Sequence, residues 1–119
     1  MNEANIDFQQ LRIKHILFKS KVRSVLYGGN LDTEFFSSNG PINTWFNSTG
    51  ISKYRNLAEM KDLIKLQQEL NASANSLFSL YKSGQIEEAH RGLVEIENLS
   101  DQFLSLLLTL DKKLTAKEI

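Results

Sequence analysis

The chain contains no cysteine. That single absence excludes disulfides, thiolate metal ligands and thiol catalysis, and it fits a reducing compartment. Charge of one sign is also missing: 14 basic and 14 acidic residues leave a net charge of zero. No global field therefore draws the chain to nucleic acid or to an anionic membrane. No apolar run approaches the roughly 20 residues that span a bilayer, and the first residues, MNEANIDFQQ, lack a basic stretch followed by an apolar one. Neither membrane insertion nor a nucleic-acid partner is expected, and a soluble cytoplasmic chain is. Proline and tryptophan occur once each, as Pro41 and Trp45 in NGPINTWFNSTG, Asn39 to Gly50. No period-2 alternation bounded by turns reads as a strand. At 119 residues the chain is expected to form one domain, 1–119, around one modest core.

What is present is helical periodicity. Phe8, Leu11, His15, Phe18, Val22 and Val25 recur at spacings of three and four, the signature of one buried helix face, and Gly28-Gly29 ends the run. Pro41 suits a first helical position, after which Ile42, Trp45 and Phe46 share a face until Gly50 closes a small helix. A long helix is expected over 53–83, with the stripe Met60, Leu63, Gln67, Leu70, Ala74, Leu77 and Tyr81, terminated at Gly84. A last helix starts at once, with Ile86, Ala89, Leu93, Ile96, Ser100, Phe103, Leu107, Leu110 and Leu114 in phase. The pattern implies an all-α fold, an antiparallel four-helix bundle whose broken fourth layer is the short inserted helix holding Trp45.

The end of the last helix is apolar on more than one side. Phe103, Leu104, Leu106, Leu107, Leu108 and Leu110 cannot all point inward. A homodimer contact through Phe103, Leu104, Leu106 and Leu108 is the simplest cover, and deep burial within the chain's own bundle is the alternative.

Polar residues on the apolar stripes are the candidates for function. His15 interrupts a core face, where a ring nitrogen needs a hydrogen-bond partner or a metal. Gln67 and Asn71, four apart on another helix, are its natural companions. Amides are poor zinc ligands beside imidazole and thiolate, so a polar core network is expected in which they bond to His15 and to each other. His90 falls off the apolar stripe, next to Glu87, Glu88 and Arg91, and reads as solvated. Phosphate loops, nucleophile elbows and inward carboxylate pairs are absent from the sequence, so no enzyme and no cofactor is expected. Arg12, Lys14, Lys19, Lys21 and Arg23 lie along the first helix with no acid between them. They form a basic face that could meet an acidic partner protein or nucleic acid, but at zero net charge and without interleaved exposed aromatics a simply solvated face is the favoured reading.

Three pieces at this spacing resemble the chemoreceptor zinc-binding (CZB) domain family. His15-Ile-Leu-Phe18 is similar to its first histidine motif, and Gly40-Pro41-Ile42-Asn43-Thr44-Trp45 to its cysteine-to-tryptophan motif. Gln67 and Asn71 stand at the two positions of its His-x-x-x-His pair, followed by the apolar helix to Gly84. The similarity covers about Phe8 to Leu110, yet of the four zinc ligands the family carries only His15 remains, with Gly40 at the thiolate position. The resemblance implies a non-catalytic cytoplasmic sensory or regulatory module of bacterial chemotaxis type. It also implies a dimer, joined to a signalling protein or an attached output domain, in which ligand state alters helix packing. With these ligands lost, no zinc is expected. Two alternatives are an adaptor presenting a protein-binding face, and a small-molecule pocket of His15, Gln67 and Asn71 under Trp45.

Overall fold

A computed structural model describes residues 3–116, and every described element is helical. Three long helices, α1 (Glu3–Leu26), α4 (Ala58–Lys82) and α6 (Leu93–Ala116), form the body. Between α1 and α4 run α2 (Pro41–Trp45), a π-helical turn (Phe46–Gly50) and α3 (Ile51–Tyr54), and α5 (Ile86–Arg91) precedes α6. Side-chain pairs give the directions. Asn5 bonds to Asp111 at 2.9 Å and Lys19 to Glu97 at 3.0 Å, so α1 and α6 run antiparallel. Lys113 reaches Glu59 at 3.1 Å, which sets α6 antiparallel to α4 as well.

The stripes read from the sequence are the buried faces, except at Ile86, which opens the last stripe but is exposed. Phe8, Leu11, His15, Phe18, Val22 and Val25 of α1 are all buried, as are Met60, Leu63, Gln67, Leu70, Ala74 and Leu77 of α4. Tyr81 is half-buried and packs at the edge of the same core. Ile96, Ser100, Phe103, Leu107 and Leu110 of α6 complete it.

Both helix-terminating glycines adopt the left-handed backbone, with φ of +100° at Gly28 and +89° at Gly84. Each opens a Schellman closure: Gly29 N–H donates to the Ser24 carbonyl at 2.7 Å, and Gln85 N–H to the Leu80 carbonyl at 2.9 Å.

Three boundaries differ from the sequence expectation. Gly50 does not close the small helix; its backbone is right-handed helical, and the chain passes through the π turn into α3. The long helix begins at Ala58 rather than residue 53, because Leu57 is extended (φ −87°, ψ 129°). Lys53 and Tyr54 belong instead to α3, where both bond to Asp7 of α1. The last helical stretch is also broken, at Gly92. A Cβ there would collide with Leu77 Cδ2, so α5 can lie close to α4 only where the side chain is missing.

Candidate functional site

His15 is completely buried between α1 and α6. Its ring stacks on Phe103 with centroids 4.3 Å apart and planes 9° from parallel, and Phe18 lies 6.4 Å away on the same helix. Nε2 is 2.7 Å from Ser100 Oγ, and the two atoms share one hydrogen. Nδ1 has no partner among the described residues. Burial lowers the pKa of the ring to about 4, with Lys19 adding to the effect and Glu97 opposing it. The imidazole is therefore neutral at pH 7.

On α4, Gln67 Nε2 donates to Asn71 Oδ1 at 3.0 Å, while buried Gln67 Oε1 has no partner. The amides thus bond to each other as expected, but neither bonds to His15, whose partner is Ser100 instead. Asn71 is half-buried and faces a small cavity, about 10 Å³, lined by Phe18, Phe36, Ile42 and Asn43. His15–Ser100 and Gln67–Asn71 are thus two separate hydrogen-bonded pairs on the apolar faces of the long helices, together termed the polar seam. Two of its atoms, His15 Nδ1 and Gln67 Oε1, are left without partners.

Trp45 lies elsewhere. Its Nε1–H donates to the main-chain carbonyl of Asp7 at 3.0 Å, and its ring packs against Phe8 and Phe46. Asp7 precedes His15 by eight residues, about 12 Å along a helix, so the indole does not roof the polar seam. The Asp7 carboxylate accepts from Tyr54 Oη at 2.6 Å and Lys53 Nζ at 3.2 Å. Burial first, then the bond to Asp7, pushes the Tyr54 hydroxyl pKa up, and the bonds to Glu3 and Asp7 raise that of Lys53. One acidic residue of α1 therefore anchors the whole 41–54 segment.

The four leucine and phenylalanine candidates for a dimer contact separate. Phe103 is in the core, Leu106 is half-buried against it, and Leu104 is half-buried. Leu108 is 51 % exposed. His90 is not the solvated residue expected. It is half-buried, its Nε2–H donates to the Leu26 carbonyl at the end of α1, and its ring stacks on Tyr27 with centroids 4.0 Å apart. The basic face is partly neutralised by Lys19–Glu97 and Lys21–Asp32, which also holds the Asp32 carboxyl below its ordinary pKa.

The residues around His15 do not fit zinc. One imidazole, already bonded to a hydroxyl through Nε2, with two amides bonded to each other, offers at most one of the four nitrogen or sulfur ligands that close a structural site. Gly40 could not supply one by carrying a side chain either, since a Cβ there would overlap the Phe35 carbonyl. Among the described residues no group of three or more His, Asp and Glu could hold a metal ion, and no helix is long and apolar enough to cross a membrane.

Ser100 and the Asp7 anchor escape a sequence reading. A serine within the stripe Ile96-Ser100-Phe103 was the one available signal for the first. The second required knowing that α3 meets the start of α1.

Compared with protein-family models, curated proteins and solved structures, the chain has no match.

Proposed function

We propose that this chain is a non-catalytic sensory or regulatory module whose output is a change in helix packing, a metal-free relative of the chemoreceptor zinc-binding domains. In this reading it is a cytoplasmic bundle in which 41–54 supplies the fourth layer, acting as a homodimer on a signalling partner or an attached output domain. The observation that carries the reading is the incompletely satisfied polar seam. Each unpartnered buried polar atom costs about 1–3 kcal/mol, and His15 Nδ1 on α1 and Gln67 Oε1 on α4 are two such atoms on the core faces of their helices. A packing that gives either atom a partner is thereby brought close in free energy to the one described, which is what a two-state helical switch requires.

Relaxation-dispersion NMR on the amides of α1 and α6 tests this. Millisecond exchange centred on His15 and Ser100, abolished by His15→Leu together with Gln67→Met, supports the module. An exchange-free seam contradicts it.

A second reading, an adaptor, is favoured by the outer side of α1. Ile6, Ile13 and Leu17 share one helix face, Ile16 lies beside them, and exposures range from 44 % at Ile6 to 63 % at Ile13. Such a stripe suits a partner helix. Unchanged capture of any partner by an Ile13→Asp/Leu17→Asp variant would remove this reading.

A further inference from the structure

Away from the polar seam, toward the end where α1 begins, a groove of about 500 Å³ runs between α1 and α6. Its floor and walls are Phe8, Leu104, Leu107 and Leu108, with Gln9, Arg12 and Ser105 along the sides. The volume falls within the roughly 300–1,000 Å³ of small-molecule sites, and an apolar lining with a few polar groups is their usual make-up. Two charges border the groove, and they are not equivalent. Asp111 is engaged, both carboxylate oxygens accepting from Asn5 Nδ2 at 2.9 and 3.1 Å. Arg12 has no ion-pair or hydrogen-bond partner among the described residues, although Lys19, Lys21, Lys53 and Lys113 all have one.

We propose that this groove binds a small carboxylate with an apolar body, its acid on the Arg12 guanidinium and its body on Leu104, Leu107, Leu108 and Phe8. A guanidinium fork matches a carboxylate through two parallel hydrogen bonds. Gln9 and Ser105 supply further donors on the same walls. Asp111 sets the direction: its negative charge at the far end repels the acid and leaves that end to the apolar body. A single unpaired cation suits one carboxylate, and the groove lacks the cluster of cations that polyphosphates and nucleic acids need. This goes beyond the regulatory reading and does not depend on it, because none of these residues belongs to the seam.

The test is a titration of the folded chain with decanoate, followed by amide chemical shifts, with decylammonium as the probe of opposite charge. Decanoate is expected to shift Gln9, Arg12, Leu104, Ser105 and Leu108 in a saturable way, while decylammonium leaves them in place. Arg12→Gln should weaken binding at least about tenfold, Leu108→Ser should weaken it with charge unchanged, and Lys14→Gln, on another side of α1, should have no effect. Arg12 and Leu108 are exposed, so these variants keep the fold. Absence of saturable shifts, equal binding of decylammonium, or equal losses in Arg12→Gln and Lys14→Gln would each overturn the proposal.

Discussion

The indole of Trp45 donates its only hydrogen bond to the main-chain carbonyl of Asp7, 3.0 Å away across the interface of α2 and α1. The carboxylate of the same residue accepts from Tyr54 and Lys53. The 41–54 segment, which buries Ile42, Trp45, Phe46 and Tyr54, is thus held by aromatic burial plus three bonds to one acidic residue. Gly50 completes the arrangement, because a Cβ there would press within 3.0 Å of the Trp45 ring.

Substitutions in this anchor should fall in a definite order. Trp45→Ala removes a ring that is only 3 % exposed and should cost about 3–5 kcal/mol in denaturant unfolding. Tyr54→Phe keeps the ring and deletes one charge-assisted bond, so about 1–3 kcal/mol is expected. A Tyr54→Phe loss equal to that of Trp45→Ala would show that the bonds, not the burial, hold the segment.

Within the bundle itself, Leu70 is fully buried on the α4 stripe. Leu70→Ala should cost about 2–5 kcal/mol through lost transfer energy and the cavity left behind. A change below about 0.5 kcal/mol would mean that this face of α4 does not face the core.

The two glycines of the α4–α6 connection should respond differently. Gly84 has φ +89° and open space around it, so Gly84→Ala is penalised only by the backbone, about 1–2 kcal/mol. Gly92 has an ordinary backbone (φ −66°), and Gly92→Ala is penalised by collision with Leu77 at about 1–3 kcal/mol. Shortening the obstacle should therefore rescue the second and not the first. In a double-mutant cycle, Leu77→Ala is expected to offset part of the Gly92→Ala loss, and strict additivity of that pair would contradict the steric account.

Stability should depend on pH through His15. In the fold its ring stays neutral down to about pH 4, whereas the unfolded chain takes up that proton near 6.5. Between those values the unfolded state binds more protons, so stability is fully present above pH 6.5 and falls as pH drops toward 4. The total is roughly 3 kcal/mol, or about 1.4 kcal/mol per pH unit where the slope is steepest. His15→Leu should flatten this part of the curve. Parallel curves for the two proteins across pH 4–6.5 would show that the buried ring takes a proton in the fold.

Much of the fold was legible because burial in a helix repeats every three or four residues. The stripes through His15 and Gln67 marked both as buried, and Gly28 and Gly84 marked helix ends through a backbone that only glycine adopts readily. Periodicity does not say which helices face each other or in what register. The partner of His15 was therefore invisible, and its bond to Ser100 spans 85 residues. The break before Ala58 was missed for a related reason. No glycine or proline marks it, and contacts of Lys53 and Tyr54 with distant Asp7 draw those residues out of the long helix. Gly92 reads as an ordinary helix residue until Leu77 is placed beside it.

That the core holds an energetically costly polar seam is best checked by the unfolding free energy of His15→Leu/Ser100→Ala/Gln67→Met at pH 7. The three changes remove both unpartnered atoms together with the buried Ser100 hydroxyl that loss of His15 would strand, and half-buried Asn71 keeps access to water. The account predicts a variant about as stable as the wild type or more so, by up to roughly 2 kcal/mol. A loss of more than about 2 kcal/mol would contradict it, since the seam would then be a satisfied network that stabilises one packing.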